Sequence, residues 1–318
     1  MKLWIPILLG ALALLATTAG KARSWFRRRS SKGPQVVAWV TPSGIKSAYA
    51  AGNALQTLPL YSATSVKITD GKQGSGYRDK PNGAQSNGGW IDDYMQEARA
   101  AGVPVSGHGF HYLLTPESSA VEGARAAESA LFHNVKAYSC NCERQWLKGR
   151  MDSAGKPHAS TAHLRATAMA FNKAFRSVAP NIRLHITPMM NVSHVWGPVL
   201  TPEWLAQWDG LERMIFATSP NTRRKRWTAT RALAAQVRKI HPGFSYVPLW
   251  ATGSVESGMS YAGAQLQTIQ LEAQEPTEFL GAYYGNYAGT MWNTGNAYGP
   301  PWSKVIPALQ GRTSIKVA

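Results

Sequence analysis

Eight short β-rich runs alternate with Ala-rich stretches from Gln35 onward, and this strand-then-helix rhythm constrains the fold more than any other feature. The runs are QVVAWV (35–40), SVKITD (65–70), VPVSGHGF (103–110), VKAYSCNCE (135–143), IRLHITPM (182–189), RMIFATS (213–219), FSYVPLW (244–250) and EFLGAYYG (278–285). A helix between two strands returns the chain to the same end of the sheet, so the repeated order implies parallel pairing. Eight such units make a single (β/α)8 (TIM) barrel. A doubly wound open sheet is the alternative.

The stretches between the runs carry helix signals. IDDYMQEARAAG (91–102) ends on a glycine stop, and ESSAVEGARAAESALFHN (117–134) has apolar residues at helical spacing. TAHLRATAMAFNKAFRSVAP (161–180) and TATRALAAQVRKIHPG (228–243) both end at proline, and a further helix is expected over Tyr261 to Ala273. DGKQGSG (70–76) has GxxGxG spacing, not GxGxxG, and runs into more loop, so no dinucleotide or other cofactor is expected. The SPN segment (219–221) and the tail WNTGNAYGPPW (292–302) read as loops.

Residues 1–33 stand apart from this pattern. Leu3 to Ala19 is an uncharged apolar run of 17 residues, at the lower limit for spanning a bilayer. Small residues in TTAG fit a cleaved signal peptide, whereas the basic KARSWFRRRSSK that follows fits a retained anchor, because basic flanks stay on the cytoplasmic side. The expected organisation is a signal anchor or signal peptide over 1–20, a basic juxtamembrane linker over 21–33, and a barrel domain over 34–318. Membrane contact through the first segment follows, with the protein membrane-anchored or exported.

The 318-residue chain has a formal net charge of +17. Seven of those charges (Lys2, Lys21, Arg23, Arg27, Arg28, Arg29 and Lys32) precede residue 34 without an acid, leaving about +10 for the rest. Such a surplus favours polyanionic partners without choosing among them. RRKRW (223–227) is a single basic–aromatic patch, short of the interleaved surface that nucleic-acid binding needs, so nucleic acid is set aside as a partner. Twelve Trp and twelve Tyr suit both core filling and the flat walls of a sugar cleft.

In a barrel of this kind the chemistry lies at the carboxyl ends of the strands. Those ends carry Trp39, Asp70, His108, Asn141 with Glu143, Thr187 to Met189, Thr218, Trp250, and Tyr283 with Tyr284. In YSCNCE, alternation puts Asn141 and Glu143 on one face and Cys140 and Cys142 on the other, where the thiols read as small buried hydrophobes. Trp39, His108, Trp250, Tyr283 and Tyr284 are the candidate substrate-binding residues. His108 and His111 also read as structural hydrogen-bonders. No metal-ligand spacing occurs, and no metal is expected.

The succession VKITDG, a helix ending ARAAG, VPVSGHGFHYL, another helix and then YSCNCE resembles glycoside hydrolases of the family 25 muramidase type and related phage-encoded sugar hydrolases. The likeness covers roughly Gln35 to Trp146. In those enzymes a strand ending in a small–aromatic–His segment precedes one carrying Asp-x-Glu. The resemblance implies that Glu143 is the acid, and Asn141 stands where the Asp should be. The chitinase type would add Asp at Ser139 and Lys136, and this chain does not have them.

Two readings stay open. A sugar with a 2-acetamido group can supply its own nucleophile, leaving the protein one general acid and one orienting group. A family of endo-N-acetylglucosaminidases carries Asn-x-Glu at the equivalent strand end. On that reading Glu143 is the acid and base, Asn141 holds the acetamide, Asp70 is a reserve carboxylate, and the substrate is peptidoglycan or a similar N-acetylated polysaccharide. On the other, the barrel is a catalytically inactive glycan-binding or structural protein.

Overall fold

The computed structural model describes residues 35–40, 63–70, 90–100, 102–142, 146, 160–188, 198–214, 220–251 and 289–293. The described strands are β1 (Gln35–Val40), β2 (Ala63–Asp70), β3 (Val105–His111), β4 (Ala137–Cys142), β5 (Arg183–Pro188), β6 (Gly210–Met214), β7 (Ser245–Ala251) and β8 (Gly289–Asn293). Each pairs in parallel with the next, and β8 returns to pair with β1, closing a ring. Among the described residues the helices are α1 (Trp90–Ala100), α2 (Pro116–Phe132), α3 (Thr161–Val178), α4 (Pro202–Leu205) and α5 (Pro220–Ile240). The fold is α/β with parallel strands, as the strand-then-helix rhythm implied.

Local chemistry explains the helix boundaries. Thr115 caps α2: its hydroxyl accepts the Ser118 N–H at 3.2 Å, the Ser118 hydroxyl accepts the Thr115 N–H at 3.1 Å, and Pro116 occupies the first turn. Ser160 caps α3 by accepting the His163 N–H at 3.1 Å. Leu164, Ala168, Phe171 and Phe175, spaced by three and four, are the buried stripe of α3. Opposite them α2 presents Ser119, Gly123, Ala126, Ala127 and Ala130, small enough for the two helices to close on each other.

Three elements depart from the sequence pattern. The sixth strand starts at Gly210, where the pattern began it at Arg213. The Asp209 carboxylate accepts the Leu184 N–H at 2.8 Å and holds this segment against β5. A Cβ at Gly210 would stand 2.9 Å from both His185 Cδ2 and Ser245 Cβ, so the glycine marks a close approach inside a strand. The eighth strand is Gly289–Asn293, so Trp292 and Asn293 are paired residues and not loop. Pairing on both sides supplies a short strand with partners that its local pattern does not announce. EFLGAYYG lies outside the described residues, as do the expected helix over 261–273, the 70–76 loop beyond Asp70, and all of 1–34. Finally, Pro220 and Asn221 open α5 where a loop was read; proline suits a first turn because its missing N–H needs no partner there.

The two faces of the strands have different compositions. Tyr138 meets Phe175 of α3 at 5.3 Å between ring centroids, and His111 meets Phe171 at 4.6 Å, so these residues face outward under the helices. Cys140 and Cys142 share that face by alternation and are fully buried. Burial first, then the adjacent Cys142, pushes the Cys140 thiol well above its usual range, which suits an inert packing residue. The opposite face lines the interior of the ring, and it is mainly polar.

Candidate functional site

Cross-strand register sorts the interior residues into layers. Lys67 of β2, His108 of β3, Ser139 of β4 and His185 of β5 are successive partners, and His185 continues to Gly210 of β6 and on to Ser245 of β7. One alternation step nearer the carboxyl ends, Asp70, Phe110, Asn141 and Thr187 are likewise in register. Asn141 is the fifth of six residues in β4 and only 8% exposed. The same strand alternation that sends the cysteines outward puts Asn141 on the interior face.

A chain of hydrogen bonds on the outer face fixes the local shape of β2. Glu122 of α2 accepts the N–H groups of Tyr112 and Leu113 at 2.9 and 3.3 Å and lies 3.2 Å from His111 Nδ1. His111 Nε2 is 2.8 Å from the Tyr138 hydroxyl, which in turn bonds the Thr69 hydroxyl. A Cβ at Gly109 would overlap both of those hydroxyls, so the contact depends on glycine. Ser65 bonds His108 on the inner face while Thr69 bonds Tyr138 on the outer one, and the register shift between Lys67 and Thr69 accommodates the change. The shift brings Asp70 into register with Phe110, and hence into the layer of Asn141. His111 is therefore a buried structural hydrogen-bonder.

His108 is 1% exposed, with Nδ1 3.1 Å from the Ser65 hydroxyl. Burial, aided by the Lys67 charge, holds its imidazole well below the usual histidine range, so it is neutral at neutral pH. Lys67 lies 5.8 Å from the Phe110 ring centroid and keeps partial exposure.

The sequence pattern missed a second cluster on the same interior face. Glu212 of β6 is 1% exposed; its Oε1 is 2.9 Å from His185 Nδ1, and its Oε2 accepts the Thr187 hydroxyl at 3.3 Å. Thr187 is the register partner of Asn141, so this carboxylate belongs to the Asn141 layer. Starting the sixth strand at Arg213 left Glu212 in the preceding loop. The turn-type dipeptide Asp209–Gly210, directly ahead of Leu211, was the signal that could have found it.

The other candidates sit as follows. Trp39 of β1 is in register with Ser65 and Asn293, and Trp250 of β7 with Trp292. Glu143, Tyr283 and Tyr284 lie outside the described residues. Among the described residues no group of three or more His, Cys, Asp or Glu is placed to hold a metal ion.

No family model and no curated relative matches the chain. Solved structures do. A GH18 chitinase from Pseudoalteromonas aurantia superposes with a TM-score of 0.55 at 9% identity, covering 88% of this chain and 100% of that one. A chitinase from Bacteroides thetaiotaomicron gives 0.54 at 8% identity, with 88% and 96% covered. The fold they share with this chain is a TIM-type barrel. A GH10 endoxylanase from a sugarcane soil metagenome, at 0.52 and 10% identity with 84% and 87% covered, has it too. Identities this low speak to architecture, and function has to come from the site.

Proposed function

We propose that the chain is a glycosidase of N-acetylated cell-wall glycan, built on a complete (β/α)8 barrel. The observation that carries the reading is Asn141, an amide on the interior face of the fourth strand, one residue from its carboxyl end. Glu143 follows two residues later in sequence and takes the same face in this proposal.

The chemistry runs through the substrate's own acetamide. Its carbonyl oxygen attacks C1, the C1–O bond breaks, and the leaving oxygen takes the proton of Glu143. The ring so formed carries positive charge. Water then adds at C1 as the bond from C1 to the acetamide oxygen breaks, restoring the open neutral acetamide, and the water gives a proton back to the Glu143 carboxylate. Asn141 orients the acetamide, Asp70 stands in reserve, and Trp39, His108, Trp250, Tyr283 and Tyr284 shape the sugar cleft. In this reading 1–20 tethers or exports the protein and 21–33 meets anionic lipid, which places the domain beside cell-wall polymer or on a phage particle.

Purified full chain should release soluble fragments from peptidoglycan or an N-acetylglucosamine oligomer. Glu143→Gln should lower that rate by about a hundredfold or more. A second reading, an inactive glycan-binding or structural barrel, is favoured by the neutral amide where resembling enzymes place an Asp. A folded wild-type chain that cuts neither polymer would overturn the first reading in favour of the second.

A further inference from the structure

The interior face carries a charged pair of walls that the proposed mechanism has not used. Lys67 on β2 and Glu212 on β6 are four strands apart in a closed ring of eight, so they stand on opposite sides of it. Asn141 on β4 lies two strands from each. Glu212 is held from two directions, by His185 Nδ1 and by the Thr187 hydroxyl, with its carboxylate almost wholly out of solvent. His185 is fully buried, and its Nε2 has no hydrogen-bond partner among the described residues. A carboxylate so fixed, away from water, keeps both its position and the reach of its field.

We propose that Glu212 is a positioning residue for the cleavage of N-acetylated glycan, supplying from the β6 wall the negative charge that the neutral Asn141 cannot. The inference rests on the glycosidase reading above. When the acetamide oxygen bonds C1 and the glycosidic electron pair leaves with the departing oxygen, one positive charge appears on the new ring. Asn141 can accept or donate a hydrogen bond to that ring but has no charge to set against it. Glu212 shares its layer through Thr187, with backbone about 10 Å away across two strand spacings. It does not touch substrate. It acts through its field, which strengthens as the charge develops and therefore favours the transition state over the bound sugar. His185 and Thr187 keep the carboxylate facing the interior, and Lys67 on the far wall gives the field its direction.

The test uses the full chain and an N-acetylglucosamine oligomer, with kcat, KM and thermal unfolding measured for the wild type, Glu212→Gln, Glu212→Asp and Glu143→Gln. Glu212→Gln keeps the shape and removes the charge, whereas Glu212→Asp keeps the charge and shortens the arm. A charge role predicts that Glu212→Gln lowers kcat about thirtyfold with KM within about threefold, and that Glu212→Asp retains more kcat than Glu212→Gln. A purely structural role predicts the reverse order, because the isosteric amide packs better. The inference alone fails if the wild type turns over, Glu143→Gln is dead, and Glu212→Gln is as fast as wild type or faster than Glu212→Asp. Absence of turnover in the folded wild type overturns the inference together with the reading beneath it. If Glu212→Gln does not fold, a folded Glu212→Asp with kcat reduced a hundredfold or more overturns the charge role by itself.

Discussion

At the scale of single residues, two titratable groups among the described residues are held in opposite states, a carboxyl kept charged by its partners and an imidazole kept neutral by burial. Asp209 anchors the entry to β6: it accepts the Leu184 N–H and pairs with Arg176 at 3.0 Å. Burial alone would raise its carboxyl, but the Leu184 N–H and the Arg176 charge outweigh it and hold the carboxyl below the usual carboxylate range. A carboxyl depressed in the folded state gives stability that is complete above the unfolded value of about 4 and is lost as pH falls through the folded one. Asp209→Asn should therefore cost about 1.5 kcal/mol at pH 7, and the gap to wild type should close below about pH 4. Denaturant unfolding at both pH values measures it, and a gap independent of pH would assign the loss to packing. His108 is the opposite kind, a histidine kept neutral by burial. The sequence pattern placed it at a strand end, but β3 runs on to His111 and leaves His108 in mid-strand; its engagement with Ser65 was hidden too, because that bond spans 43 residues.

At the scale of elements, close approach explains both what the sequence pattern captured and what it lost. The amphipathic periods of α2 and α3 and their capping residues are local, and those helices begin and end within about two residues of the expected positions. Gly123 is different. A Cβ there would lie 2.4 Å from the Phe171 carbonyl oxygen, a backbone atom that has no rotamer by which to move aside. Gly123→Ala should destabilise the fold by about 2 kcal/mol despite the better helix propensity of alanine, lowering the unfolding midpoint by several degrees. An unchanged or higher midpoint would mean that α2 and α3 separate easily. The same physics hid β6. Gly210 looks like a turn residue until His185 and Ser245 crowd it from neighbouring strands, and neither lies near it in sequence. Glu212 was lost with that boundary, since an acidic residue reads as a strand interior only when His185 and Thr187 are known to face it.

At the scale of the whole molecule, parallel strand pairing was legible because it follows from the order of elements alone, although that order fits a doubly wound open sheet as well as a ring. The composition of the ring's interior was not legible. Beside Phe110 and Ala137, the described interior carries Ser65, Ser106, His108, Ser139, Asn141, His185, Thr187, Glu212 and Ser245, a mainly polar set where barrels of this class commonly pack branched apolar side chains. Desolvating so many polar groups is costly unless they bond to one another, as Ser65 with His108 and Glu212 with His185 do. Such an interior sets fixed dipoles and charge beneath the strand ends, where electrostatic stabilisation of a developing cation would draw on them. The most direct check is to follow an N-acetylglucosamine oligomer by NMR as the full chain acts on it, watching the anomeric configuration of the first product formed. Turnover with retained configuration, abolished by Glu143→Gln, is the predicted result, because the acetamide and then water each invert C1. No turnover by the folded chain, or an inverted first product, would contradict it.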